Sequence, residues 1–333
     1  MSFVVRAATA ADRPEVVELI REMIPGSDAD ARVSWLYERN PAGRALTWIA
    51  IENGEVAGCT SFFPFRLWLD GEEVLGALGG DGYVHERFRR RGLGGLLHDA
   101  SRQAMTELGI GCMYGAPGAM NLTPLKRGGS REIGQVARWV RPLCGSAIGI
   151  DQPLLDRIVR VILRPRFVPS LAPMVPNDPR VDAVWRKAAP AIRLGAIRDS
   201  AFYTWRFLDA PAHREPAFVI QHAGEPIGAC SLEVMRGGHE VRIVDLITAP
   251  KSWSSCLAGI ARYAAASDAR TVDIKLMATD GRMRRMWRMW RAGFIERERK
   301  PFLVMIPTQG DPRFLDPERW FYSGADSDLD TLE

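Results

Sequence analysis

No apolar run in the 333-residue sequence is long enough to span a bilayer. The amino terminus, MSFVVRAATAADRPE, lacks the basic start, apolar middle and small-residue cleavage site of a secretory signal. Histidine is scarce, and His85, His98, His213, His222 and His239 show neither HxH nor HxxxH spacing, so no metal is expected. The five cysteines, Cys59, Cys112, Cys144, Cys230 and Cys256, are odd in number, widely spread and free of any CxxC pair, which disfavours both a disulfide framework and a zinc site. A GxxxxGK[ST] nucleotide loop is missing, as is a GxGxxG after a parallel strand. Strong charge of one sign is missing too. A net charge of +4 suits a phosphorylated ligand but falls short of a nucleic-acid footprint. These absences lead us to expect a cytoplasmic protein that binds neither membrane nor nucleic acid.

What is present is ordinary globular material, 47% hydrophobic and 25% charged, in a chain comfortable for two domains. A short strand at 3–9 leads into a helix at EVVELIREMI. Strands follow at 47–52, 56–69 (interrupted by Pro64) and 73–84, separated by the turn signals Asn53-Gly54 and Asp70-Gly71. The meander then gives way to HERFRRRGLGG, a helix at 96–109, a buried-type strand IGCMYGAP at 110–117, and a further strand at 136–143. A helix at 150–163 and a proline-rich stretch at 164–180, read as connector, come next. The second half repeats the first in order. GEVAGCTS at 54–61 aligns with GEPIGACS at 224–231, EVRIVDLITAP at 240–250 stands for 73–84, and TVDIKLMA at 271–278 stands for IGCMYGAP. WRAGFIERER at 290–299 stands for LKRGGSREIG at 125–134. The expected organisation is therefore a first domain at 1–145, a connector at 146–194, a second domain at 195–310 and a tail at 311–333, whose acidic end is expected to be solvated.

Chemistry concentrates at RFRRRGLGG, residues 87–95. A helix amino terminus offers unpaired N–H donors at the positive end of the helix dipole, and residues with little side chain let a phosphate approach them. Gly92, Gly94 and Gly95 meet that need around Leu93, and Arg89, Arg90 and Arg91 add charge.

The segment VHERFRRRGLGGLL resembles the acetyl-CoA signature of the GNAT superfamily, with Val84, Phe88, Arg89, Gly92 and Gly94 at the motif positions. Glu86 stands where the family usually has proline. The resemblance implies an α/β (α+β) fold of two tandem GNAT-like domains, each a mixed, mostly antiparallel sheet flanked by helices. It implies acetyl-CoA as co-substrate, pantetheine pairing along the backbone of Tyr83 and Val84, pyrophosphate on residues 89–95, and Asn121 near the thiol. The expected reaction is direct N-acetylation of a small amine, an amino sugar or nucleotide-linked amino sugar, with homodimerisation left open. The alternative is a CoA-binding sensor or scaffold without catalysis.

Asp81, three residues before Val84, is a candidate general base; its other reading is to satisfy a β-bulge between Gly80 and Gly82. Tyr114 is a candidate acid or a core aromatic. The tyrosine that the family usually places in the following helix is missing. The second half has KSWSSCLAG where the glycine loop would stand, so we expect it not to bind CoA but to wall the acceptor site. There Asp245 corresponds to Asp81. In GRMRRMWRMWRAGF, residues 281–294, Met283, Met286, Trp287 and Trp290 are expected on a core face, and Trp205 and Phe207 are expected in packing.

Overall fold

A computed structural model describes residues 3–149, 152–154, 169–211, 216–278, 287 and 289–327. In the first half, strand β1 (Val4–Ala7) precedes helix α1 (Arg13–Met23) and the short α2 (Ala29–Arg32), which widens into a π-helical turn at Val33–Glu38. Strands β2 (Leu46–Glu52), β3 (Glu55–Leu69) and β4 (Glu72–Val84) form the meander, with Asn53 and Asp70 at positive φ in its tight turns. Helix α3 (Leu93–Glu107), strand β5 (Cys112–Gly115), helix α4 (Ala119–Arg127) and strand β6 (Arg131–Pro142) follow. Pro64 does not break β3. It falls between the end of β2 pairing at Phe62 and the start of β8 pairing at Leu67, where only the β4 side of the strand is bonded, so its missing N–H disturbs no ladder.

The second half repeats this order with β8 (Leu194–Ala196), the short α6 (Ser200–Tyr203) continuing as a π-helical turn at Thr204–Leu208, β9 (Ala217–His222), β10 (Glu225–Met235), β11 (Glu240–Thr248), α7 (Trp253–Ala266), β12 (Thr271–Ala278) and β13 (Ile295–Met305). Between the halves, the stretch expected as a connector holds structure. An edge strand, β7 (Ser170–Pro173), pairs with β9, and a helix, α5 (Pro179–Ala188), packs on β10 and β11. Prolines end that strand and open that helix, places where a missing N–H costs nothing. The helix expected at 150–163 lies largely outside the described residues.

All the strands join one sheet in the order β1-β2-β3-β4-β5-β13-β6-β12-β11-β10-β9-β7, with β8 on β3. The two halves have exchanged their last strands. β13, from the second half, pairs with β5 of the first; β6, from the first, pairs with β12 of the second; and β6 and β13 pair with each other at the centre. The segments 125–134 and 290–299, matched in the sequence repeat, lead into these two exchanged strands.

The segment from Phe314 to Asp326 packs on the core, and of the acidic end expected to be solvated the first residue, Asp326, is buried. Phe314, Trp320, Tyr322, Ala325 and Asp326 are buried, and Trp320 donates to Phe314 O at 2.9 Å. Residues 328–333 lie outside the described part. The Trp/Met run is also placed differently from expectation: Trp287 and Trp290 are 59% and 54% exposed, and Met289 is buried instead. Met283 and Met286 lie outside the described residues. Trp205 and Phe207 are core residues, and all five cysteines are free and buried. No described helix is long and apolar enough to cross a membrane.

Candidate active site

β4 and β5 run parallel and are bonded only over Gly76–Leu78 and Cys112–Tyr114. β5 ends at Gly115, whereas β4 continues to Val84 beside β3. The two strands therefore splay, and from Gly79 to Val84 the backbone of β4 has no strand partner on its β5 side among the described residues. This free edge can accept an extended ligand as an added strand. Gly58 of β3 keeps the edge tightly backed, since a Cβ there would meet Tyr83 O at 2.7 Å.

Beyond Val84 the chain makes a turn at Glu86–Phe88 and reaches α3 through Gly92, which has φ +80° in the left-handed region and gives the helix no side-chain cap. Phe88 and Leu93 are buried beneath this loop and hold it to the core. Gly94 and Gly95 are exposed in the first turn, and nothing lies within 4 Å of where a Cβ would stand on either. The fold thus has no steric need for glycine there, although glycine costs a helix about 1 kcal/mol relative to alanine. The space is open to an anion at the helix amino terminus.

The three arginines of the loop are not equivalent. Arg91 forms a two-pronged ion pair with Glu52, holding that carboxyl below its ordinary range, and its guanidinium stands 4.5 Å from the centre of the Phe3 ring. Arg89 donates to Val84 O at 3.0 Å, pairs with Glu86 at 3.2 Å and covers the Tyr83 ring. Arg90, at φ +63°, is exposed and forms no ion pair with any described residue. It is the loop cation left available to a phosphate. Asn121 is exposed in the first half of α4, past the end of β5.

Asp81 sits where β4 carries one extra residue against β3, at φ +47°. Its carboxylate accepts from Arg32 Nη2 at 2.8 Å, Arg32 Nε at 3.2 Å and the Tyr37 hydroxyl at 2.8 Å, and its side chain is 1% exposed. Burial and the neighbouring Asp81 charge push the Tyr37 hydroxyl well above its ordinary pKa. Tyr114 is buried among Phe65, Phe302, Trp320 and Tyr322, with its hydroxyl 3.4 Å from Asp326. Burial raises its pKa too. Neither side chain opens to solvent.

The second half reproduces the aspartate but encloses it further. β11 bulges beside Asp245, whose carboxylate accepts from Arg198 at 3.0 Å, Tyr203 at 2.8 Å and Ser323 at 2.6 Å. Arg198 in turn reaches Asp326 at 2.6 Å, so the carboxyl-terminal segment locks this centre. Between the halves, a small groove of about 50 Å³ runs from Ala116, just past β5, to Val244 of β11, and Arg138, Arg242, Lys275, Lys300 and Glu298 lie along it.

Sequence reasoning did not find Arg32 and Tyr37, nor the role of Trp35 and Trp205. One signal was available: WLYERNP at 35–41 and WRFLDAP at 205–211 stand 170 residues apart (205 − 35), the offset of the GEVAGCTS pair.

Comparison with known proteins agrees with this geometry. Residues 4–123 match the family model of the acetyltransferase (GNAT) domain. No curated protein sequence matches the chain significantly. Among solved structures, a GCN5-related N-acetyltransferase from Anabaena variabilis has a TM-score of 0.67 at 16% identity, over 92% of this chain and 73% of that one. A probable N-acyltransferase from Enterococcus faecalis gives 0.69 at 12% identity over the same shares. An N-myristoyltransferase from Saccharomyces cerevisiae, solved with myristoyl-CoA, gives 0.55 at 11%, over 91% and 82%.

Proposed function

We propose that this chain, whose residues 4–123 match the acetyltransferase (GNAT) domain model, transfers an acetyl group from acetyl-CoA to a small amine, with no acyl-enzyme intermediate. The observation that carries this reading is the open, uncapped amino terminus of α3, with sterically unneeded glycines at 94 and 95, set beside the free edge of a splayed β4.

In this reading the N–H groups of the α3 first turn and Arg90 hold the pyrophosphate, and the backbone from Gly79 to Val84 pairs with the pantetheine arm. Asn121 borders the thiol. An N–H of the free β4 edge polarises the thioester carbonyl. The neutral amine attacks that carbon; a C–N bond forms as the C–S bond breaks, the sulfur leaves as thiolate, and the proton lost from nitrogen passes through water to that thiolate, giving amide and free CoA thiol. Asp81 is best placed to act through Arg32 and Tyr37, fixing the bulge from which β4 diverges, and Tyr114 supports the core.

Along the groove beyond Ala116, Arg138 is paired with Glu240, Asp273 and Glu298, and Arg242 with Asp273 and Glu233, so its arginines are already neutralised by the protein's own carboxylates. The proposed acceptor therefore stays a small amine, with an amino sugar, plain or nucleotide-linked, as the class to try first. The second reading, CoA binding without turnover, draws on one observation: both expected proton-transfer residues are buried and engaged.

Thiol release from acetyl-CoA, measured across a panel of plain and nucleotide-linked amino sugars, separates the two. Turnover on any amino sugar of the panel supports the first reading. Saturable CoA binding with no thiol release on any acceptor replaces it with the second.

A further inference from the structure

The second half has kept the splayed strands and lost the loop. β11 and β12 are bonded only over Glu240–Ile243 and Thr271–Ile274, then diverge as β4 and β5 do. The turn from β11 to α7 comprises only residues 249–252, four against the eight of 85–92, and α7 opens on Trp253 rather than on a glycine run. Dense phosphate charge has no seat here. The cleft has instead become a cavity of about 480 Å³, a volume typical of small-molecule pockets.

Among the described residues its walls are mainly apolar, with Trp139, Leu246, Leu276, Met277 and Met289 facing it. Among the described residues, the charged groups on its lining are Lys251, Arg299 and Glu296. Arg299 and Glu296 pair with each other. Lys251 is exposed at φ +68° and forms no ion pair with any described residue. A cationic ligand would meet a net positive lining. A multiply phosphorylated one would find a single unpaired cation among the described residues.

We propose that this cavity binds an amphipathic monoanion, a medium-length aliphatic carboxylate whose chain fills the apolar cleft while its carboxylate meets Lys251. The site is separate from the acyl-CoA site of the first half and does not depend on the acceptor assigned above.

The test is isothermal titration of the full chain with hexanoate, octanoate and decanoate, alongside CoA. Each added methylene should tighten binding about fourfold until the cavity is full. Lys251→Glu should weaken decanoate about tenfold, and Leu276→Trp, which fills the cavity, should abolish it, while both leave CoA affinity unchanged. No decanoate binding to the wild-type chain overturns the proposal. So does decanoate affinity unchanged by Lys251→Glu, an exposed substitution that carries the test even if Leu276→Trp fails to fold.

Discussion

Trp35 and Trp205 donate to each other's backbones: Trp35 Nε1 to Trp205 O at 2.7 Å, and Trp205 Nε1 to Trp35 O at 3.1 Å, with the rings stacked 5.5 Å apart. Each indole stands in the π-helical turn of its own half, 170 residues from the other. The reciprocal pair is a local sign of the twofold relationship that the strand exchange expresses across the sheet, and it ties the turn holding Tyr37 to the second half.

Truncating either indole should therefore loosen the contact between halves. Trp35→Ala and Trp205→Ala are each expected to cost about 3–5 kcal/mol by chemical denaturation. The double variant should cost less than the sum by about 0.5–3 kcal/mol. Strict additivity would mean that the two residues are not coupled.

Asp81 gives the second prediction. If it positions β4 rather than takes the amine proton, Asp81→Asn removes the Asp81 charge from buried Arg32 and should cost about 3–5 kcal/mol of stability. A variant of unchanged stability that has lost nearly all kcat would make Asp81 the base.

The glycines of the loop give the third. Gly94→Ala and Gly95→Ala should leave stability unchanged or raise it by up to about 1 kcal/mol, because a Cβ meets nothing and alanine favours the helix. The same substitutions should raise the KM for acetyl-CoA. A loss of stability without a change in KM would make these glycines structural.

His98 gives a pH prediction. Both of its ring nitrogens are buried without a partner on α3, packed against Gly128, and burial pushes its pKa below the ordinary histidine value. The unfolded chain then takes up the proton first as pH falls. Its stabilising contribution is complete above about pH 6.5 and declines below it. Melting temperature between pH 7 and 5 should fall less steeply in His98→Phe than in the wild type. Parallel slopes would contradict this assignment.

Much of this fold was legible in the sequence because the relevant signals are local. The Asn53-Gly54 and Asp70-Gly71 turns, the alternating strands and the glycine loop each depend on neighbouring residues. The exchange of β6 and β13 is not local. Either strand could satisfy the edge of β5, and only the global packing chooses between them. The proline-rich stretch misled because proline forbids central strands and helix interiors but tolerates edges and first turns, the places β7 and α5 use. The carboxyl-terminal segment looked like a tail because its acidic end suggests solvent, yet Asp326 is drawn inside by Arg198, 128 residues away in sequence. At the site, the loop could be read from its motif. The engagement of Asp81 by Arg32 and Tyr37 could not, since no spacing rule links those positions.

The most direct test of the central claim is a calorimetric titration of acetyl-CoA into the intact chain and into the chain carrying Arg90→Glu with Gly94→Asp. The glycine-lined amino terminus of α3 beside the free edge of β4 predicts one site per chain, lost or weakened at least tenfold by the paired substitution. Two equivalent sites, or an affinity indifferent to residues 90 and 94, would contradict it.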